Sequence, residues 1–179
     1  MSLYLNVGCG NKRYEGVINI DSAPSEYVDA DIRADIRKLP HANDSVDGII
    51  AEHVLEHLPR EEWVSTIMEW RRVLRMGGIL HVAVPNLDKI LHYYLDNRYG
   101  MRDYWYANIY GLNRYVGDTH RSGFTQTDLT DLLFSCGFYN LKWLELSPNM
   151  EHNIAVKAIK GELLTTIQEV KAYGSVQCN

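Results

Sequence analysis

The feature that most constrains this chain is its opening, Leu3-Tyr4-Leu5-Asn6-Val7-Gly8-Cys9-Gly10, followed by Val17-Ile18-Asn19-Ile20-Asp21. A short apolar run enters a Gly-x-Gly turn, and a second apolar run ends on a carboxylate. Glycines at a strand end let the backbone come close to a ligand. An acid at the tip of the next strand can accept hydrogen bonds from ribose hydroxyls. The pair predicts a nucleoside-containing cofactor at the carboxyl edge of a parallel sheet. A dinucleotide fold would carry a third glycine three positions after the second, and Arg13 stands there, which argues against a nicotinamide or flavin dinucleotide and the oxidoreductase that would use it. A phosphate-binding loop would continue Gly-Lys-Ser/Thr, and this one does not.

Further short motifs follow in order: Asp35-Ile36-Arg37-Lys38-Leu39-Pro40, Ser45-Val46-Asp47-Gly48-Ile49-Ile50, His53-Val54-Leu55-Glu56-His57-Leu58 and Arg72-Val73-Leu74-Arg75-Met76-Gly77-Gly78. Together with the opening, the series resembles the class I S-adenosylmethionine-dependent methyltransferases of the small bacterial methyltransferase-11 type. The resemblance is strong over residues 3–86 and continues through Ser122-Gly123-Phe124-Thr125 and Ser135-Cys136-Gly137-Phe138. It implies S-adenosylmethionine as cofactor, contacted by Asn6, Gly8, Cys9 and Gly10 at the methionine part and by Asp21 at the ribose. It also implies Asp35 and the Ile36 amide at adenine, with Glu52 and His53 at the end of the fourth strand. Ala-Asp-Ile-Arg occurs in tandem at 30–33 and 34–37, and the spacing to Leu39-Pro40 selects Asp35 over Asp31. Asp47 reads as structural, and Cys9 as a small residue required by the turn rather than a nucleophile.

Alternating apolar runs and helical periodicities predict an α/β fold, a Rossmann-like doubly wound sheet with helices on both faces. Strands are expected at 3–7, 17–20, 28–32, Val46–Ala51, Ile79–Val84, Tyr139–Leu146 and Asn153–Ile159, and the resemblance implies an antiparallel last strand. Trp63, Ile67, Trp70 and Leu74 mark one face of a helix over Arg60–Met76, stopped by Gly77-Gly78. Thr125 and Asp128 form a helix-starting box, and Gly137 closes that helix. A further helix is expected over Glu162–Tyr173. Only six residues separate Gly10 from Val17, whereas a parallel crossover usually needs a dozen or more. The first crossover helix is therefore expected to be missing or reduced to a turn.

A single domain over 1–179 is expected, with an aromatic-rich insertion at about 86–124 that holds Tyr93, Tyr94, Tyr99, Tyr104, Trp105, Tyr106, Tyr110 and Tyr115, then Asp118, His120 and Arg121. Aromatics with polar tips suit either a lid over an acceptor or a homodimer interface. For methyl transfer to a hydroxyl, a histidine is the natural base, and His53 and His120 are the candidates. No Asn-Pro-Pro-Tyr signature is present, so a small-molecule or saccharide-type acceptor is expected rather than a DNA base. A non-catalytic cofactor-binding module is the other reading. His53 and His57 share a helical spacing, but no third ligand is evident and no metal is expected. A net charge of -5 speaks against a broad nucleic-acid-binding face. The three scattered cysteines, with no leader and no apolar run long enough for a bilayer, lead to an expectation of a cytoplasmic protein.

Overall fold

The computed structural model describes residues 2–115 and 117–163. Its strands are β1 (Tyr4–Val7), β2 (Ile18–Asp21), β3 (Ile32–Arg33), β4 (Val46–Glu52), β5 (Leu74–Pro85), β6 (Phe138–Trp143) and β7 (Asn153–Lys160), and its helices are α1 (Trp63–Val73), α2 (Leu87–Leu95), α3 (Arg102–Tyr110) and α4 (Gln126–Ser135). All seven strands join one sheet in the order β3-β2-β1-β4-β5-β7-β6. β1 pairs in parallel with β2 and β4, and β7 runs antiparallel between β5 and β6. This is the expected Rossmann-like arrangement with its antiparallel last strand.

The sheet is amphipathic across its strands. Leu5, Val7, Ile20, Ile49, Ala51, Leu80, Val82 and Val156 lie on one face and belong to the same buried cluster as Trp63, Ile67 and Trp70 of α1 and Leu129 and Leu133 of α4. Burial of each such side chain contributes about 1.5–3 kcal/mol. The opposite face is mixed: the registers place Asn6, Asn19, Glu52, His81 and Lys157 there together with Ile50, Ile79, Ala83 and Ile159. Among the described residues, α1 and α4 both pack on the apolar face, in place of the expected helices on both faces. Parallel sheets normally need cover on both faces. The polar side chains of the second face reduce that need.

No helix links β1 to β2, as the short spacing predicts; residues 8–17 form turns. Several boundaries differ from expectation. α1 stops at Val73, and Leu74 already pairs with Val46 as the first residue of β5. Gly77, at φ 74°, therefore lies in an irregularity within β5 instead of ending the helix. Pairing with β4 outweighs the local glycine signal. The third strand is shorter and later than 28–32, because Asp31 is occupied by Asn19, whose amide nitrogen and Nδ2 donate to its carboxylate at 2.8 and 2.9 Å. α4 starts as expected: Thr125 Oγ1 accepts from the Asp128 amide at 3.1 Å, and Asp128 Oδ2 accepts from the Thr125 amide at 3.0 Å. The expected C-terminal helix, apart from its first residues, lies outside the described residues, as does Cys178.

Candidate functional site

In an open parallel sheet, ligands bind outside the carboxyl ends of the strands, where the strand order reverses. Here that point lies between β1 and β4, and a cleft of about 740 Å³ opens there, within the ~300–1,000 Å³ usual for small-molecule sites. Gly8, Cys9 and Gly10 line it from the end of β1, Asp21 from β2, Asp35 and Ile36 from beyond β3, and Glu52 and His53 from β4.

The glycine turn needs its glycines. Gly8 has φ +64°, and a Cβ there would lie 2.5 Å from Val54 Cγ2. At Gly10, with φ +52°, an added Cβ would meet nothing within 4 Å, so backbone conformation is the requirement there. The turn is anchored to the tip of β2, where the Gly10 amide donates to Asp21 Oδ2 at 2.9 Å. Asp21 Oδ1 accepts from the Ala23 amide at 2.8 Å. A carboxylate offers about four acceptor sites, so Asp21 keeps lone pairs for a ligand. Cys9 is buried, and burial, reinforced by the charge of Asp21, pushes its thiol up to about 11. It is an inert packing residue.

Asn6 does not line the cleft. It is buried, and its Nδ2 donates to the Lys12 carbonyl at 2.7 Å and to Asn19 Oδ1 at 3.0 Å. The expectation that it contacts the cofactor gives way to a positioning role for the loop. Glu52 lines the cleft but is also engaged: it accepts from Tyr14 Oη at 3.0 Å, lies 3.1 Å from His81 Nε2 and pairs with Lys12. The hydrogen bond with His81, helped by Lys12 and Tyr14, holds its carboxyl at about 2 against the cost of burial. This polar network fixes the loop that stands where a crossover helix is missing.

Asp35 lies on the cleft and Asp31 does not. Arg37 grips the Asp35 carboxylate through Nε and Nη2 at 2.8–3.1 Å and also reaches Glu62 at 2.8 Å. The hydrogen bonds from Arg37 hold Asp35 below its ordinary range. Asp47 accepts from the Leu3 amide at 2.6 Å, a structural tie between β4 and the start of β1.

His53 ends the strand in a left-handed conformation, φ 55°, an arrangement that costs on the order of 1–3 kcal/mol and concentrates at functional positions. Its Nδ1 lies 3.2 Å from Glu56 Oε1. Burial opposes its charge, and the Glu56 and Glu52 carboxylates together outweigh burial, raising its pKa. His120 is not on this cleft. It lines a neighbouring pocket of about 200 Å³ with Glu56, Ile90 and Tyr110, and burial lowers its pKa. Tyr104 and Trp105 also stand away from the cleft. Trp105 is buried against Tyr93 and His152, with ring centroids at 5.0 and 5.5 Å. The insertion reaches the cleft through Arg114, Tyr115, Gly117 and Arg121 instead. Gly111, at φ +81° and too close to the Asp118 carbonyl to bear a Cβ, turns the chain back after α3. Asp118 is buried and fixes Arg114 through bonds of 2.9 and 3.0 Å. Tyr115 stacks on Tyr27, from the loop after β2, with centroids 4.9 Å apart. No local sequence signal distinguished Tyr115 from the other tyrosines; its role depends on this long-range stack.

Residues 5–82 match the protein family described as "Methyltransferase domain". No curated protein matches the chain. Among solved structures, a SAM-dependent methyltransferase from Archaeoglobus fulgidus superposes with TM-score 0.63 at 16% identity, covering 89% of this chain and 86% of that one. A SAM-dependent methyltransferase from Thermotoga maritima, described as a possible histamine N-methyltransferase, gives TM-score 0.61 at 14% identity, with 90% and 83% covered. The 1,6-didemethyltoxoflavin-N1-methyltransferase of Burkholderia thailandensis, solved with 1,6-didemethyltoxoflavin and S-adenosylhomocysteine, gives TM-score 0.57 at 14% identity, with 90% and 72% covered.

Proposed function

We infer that this chain, whose residues 5–82 match the methyltransferase-domain family and whose fold resembles solved SAM-dependent methyltransferases, binds S-adenosylmethionine in the β1/β4 cleft and methylates a small-molecule or saccharide-type acceptor. The observation that carries this reading is the convergence of Gly8, Gly10, Asp21 and Asp35 on one cleft at the switch point of the sheet. Asp21 would hold the ribose hydroxyls, its orientation set by two backbone amides. Asp35 and the Ile36 amide would read adenine, and the Gly8–Gly10 backbone would face the methionine part. The fit is supported by the left-handed glycines, whose bare backbone leaves room for close approach. When bound, S-adenosylmethionine supplies an electrophilic sulfonium methyl group.

The chain's own work is alignment and exclusion of water. Tyr115, stacked on Tyr27, would close the cofactor side, and His53, Arg121 and Met150 line the cleft where an acceptor would enter. Arg121 has no ion-pair partner among the described residues, which supports its use on an acceptor's polar group. His53, His57 and His81 all line the cleft; for a hydroxyl acceptor, His53, at the end of β4 with Glu56 orienting its ring, would take the proton at its imidazole. His120 lines the neighbouring pocket instead.

Calorimetric titration with S-adenosylmethionine, S-adenosylhomocysteine and NADH tests the reading. Micromolar binding of the first two and none of the third is expected. Absence of binding by either sulfur nucleoside overturns it.

A further inference from the structure

Three side chains beside the cleft are left without a full explanation by methyl transfer. Ligand atoms of Glu56, His57 and His120 lie within 4.8 Å of one another. Glu56 is 1% exposed. Its Oε1 faces His53, and its Oε2 is buried with no hydrogen-bond partner. A carboxylate oxygen in that position demands a proton or a cation.

The two imidazoles are oriented to supply lone pairs. His57 Nδ1 lies 3.3 Å from the Thr119 carbonyl, and His120 Nδ1 lies 2.9 Å from the Asn108 carbonyl. A carbonyl only accepts, so each Nδ1 carries the proton and each Nε2 presents a lone pair. A backbone carbonyl on the far ring nitrogen is the usual support of a metal-ligating histidine. The rings meet edge to face at a centroid distance of 4.9 Å. The two segments are joined independently of any ion: the Arg121 and Ser122 amides donate to the Glu56 carbonyl at 2.8 and 3.1 Å.

We propose that Glu56, His57 and His120 bind one divalent transition-metal ion, zinc by the character of the donors. Two imidazoles and one carboxylate suit zinc rather than magnesium or calcium, which prefer oxygen donors. Bonds of about 2.0–2.2 Å require the three ligand atoms to draw together by about an ångström on loading. Three protein ligands leave a fourth position for water or an acceptor oxygen. The ion would sit between the main cleft, which His57 lines, and the smaller pocket, which Glu56 and His120 line. The sequence shows the Glu56-His57 pair but conceals the third ligand, because His120 arrives from the far end of the insertion. The site shares Glu56 with the proposed orientation of His53, so its test reads metal rather than turnover.

Tag-free, chelator-treated protein is titrated with zinc chloride and, separately, with magnesium chloride by calorimetry. One zinc per chain is expected, with no magnesium binding. Glu56→Gln, His57→Asn and His120→Asn should each weaken zinc at least tenfold. Far-UV circular dichroism checks the fold of every variant, and S-adenosylhomocysteine affinity checks that of His120→Asn. Cobalt(II) loading of the unsubstituted protein gives a second readout, expected to show nitrogen and oxygen ligation without a thiolate charge-transfer band. A thiolate band, zinc affinity unchanged in all three variants, or no stoichiometric zinc overturns the proposal.

Discussion

Asp21 is held from behind by two backbone amides, those of Gly10 and Ala23, and this fixes where its remaining lone pairs point. Replacing it with alanine should lower S-adenosylhomocysteine affinity by about 1.5–3 kcal/mol, the range for hydrogen bonds to a charged group. Calorimetry on Asp21→Ala reads this directly, and unchanged affinity would remove Asp21 from the site. The two glycines should behave differently from each other. Gly8→Ala meets both the left-handed backbone and Val54 at 2.5 Å, so a loss of about 2–4 kcal/mol in urea unfolding is expected. Gly10→Ala meets the backbone cost alone and should lose about 1 kcal/mol. Equal losses at the two positions would show that Val54 moves aside. At this scale the sequence was readable where a residue's role is local: an acid at a strand tip, a glycine in a turn. The position of Asn6 was not legible, because its partners, Lys12 and Asn19, become neighbours only when β1 and β2 pair.

The loop between β1 and β2 is held by polar contacts, and Glu52 is their hub. Its carboxyl titrates at about 2 in the folded chain instead of near 4.5. A depressed folded value means that this stabilisation is fully present above pH 4.5 and is lost as the pH falls toward 2. It amounts to something on the order of 2 kcal/mol. Unfolding free energy measured across that window should fall less steeply for Glu52→Gln than for the unsubstituted protein, with His81, Lys12 and Tyr14 as the partners involved. Parallel slopes would mean that the network contributes little. Most elements were legible from periodicity and caps, as the Thr125–Asp128 box shows. The end of α1 was not, since Gly77-Gly78 is a stop signal only if the chain is free to obey it. Leu74 is already committed to Val46 across the sheet.

Across the whole molecule, a stacked aromatic pair, Tyr115 on Tyr27, ties the insertion to the loop after β2. Tyr115→Ala should weaken S-adenosylhomocysteine binding by about 0.5–1.5 kcal/mol, the value of such a stack. Protection of the insertion from limited proteolysis by S-adenosylhomocysteine should also be lost. Retained affinity together with retained protection would show that the segment is no lid. The strand–helix alternation was legible in apolar runs and spacings, whereas the antiparallel last strand was legible only through the family resemblance. The cleft's second wall was not, because Arg114, Tyr115 and Arg121 reach it through a fold-back after α3 that no periodicity announces. The polar positions on the sheet's second face have a similar origin: Asn6, Asn19, His81 and Lys157 look like unrelated interruptions until the registers align them.

The missing first crossover helix also bears on the order of assembly. Leu5 pairs with Ile18 and Val7 with Ile20, so this parallel contact closes a far shorter loop than a helical crossover allows. Loop-closure entropy falls by about 0.6 kcal/mol for each halving of loop length, and short-range contacts favour fast folding. β1 and β2 are therefore suited to meet early, well before β7 inserts between β5 and β6. The glycine turn and Asp21 would then belong to the folding nucleus, and selection on the binding site and selection on folding speed would act on the same residues.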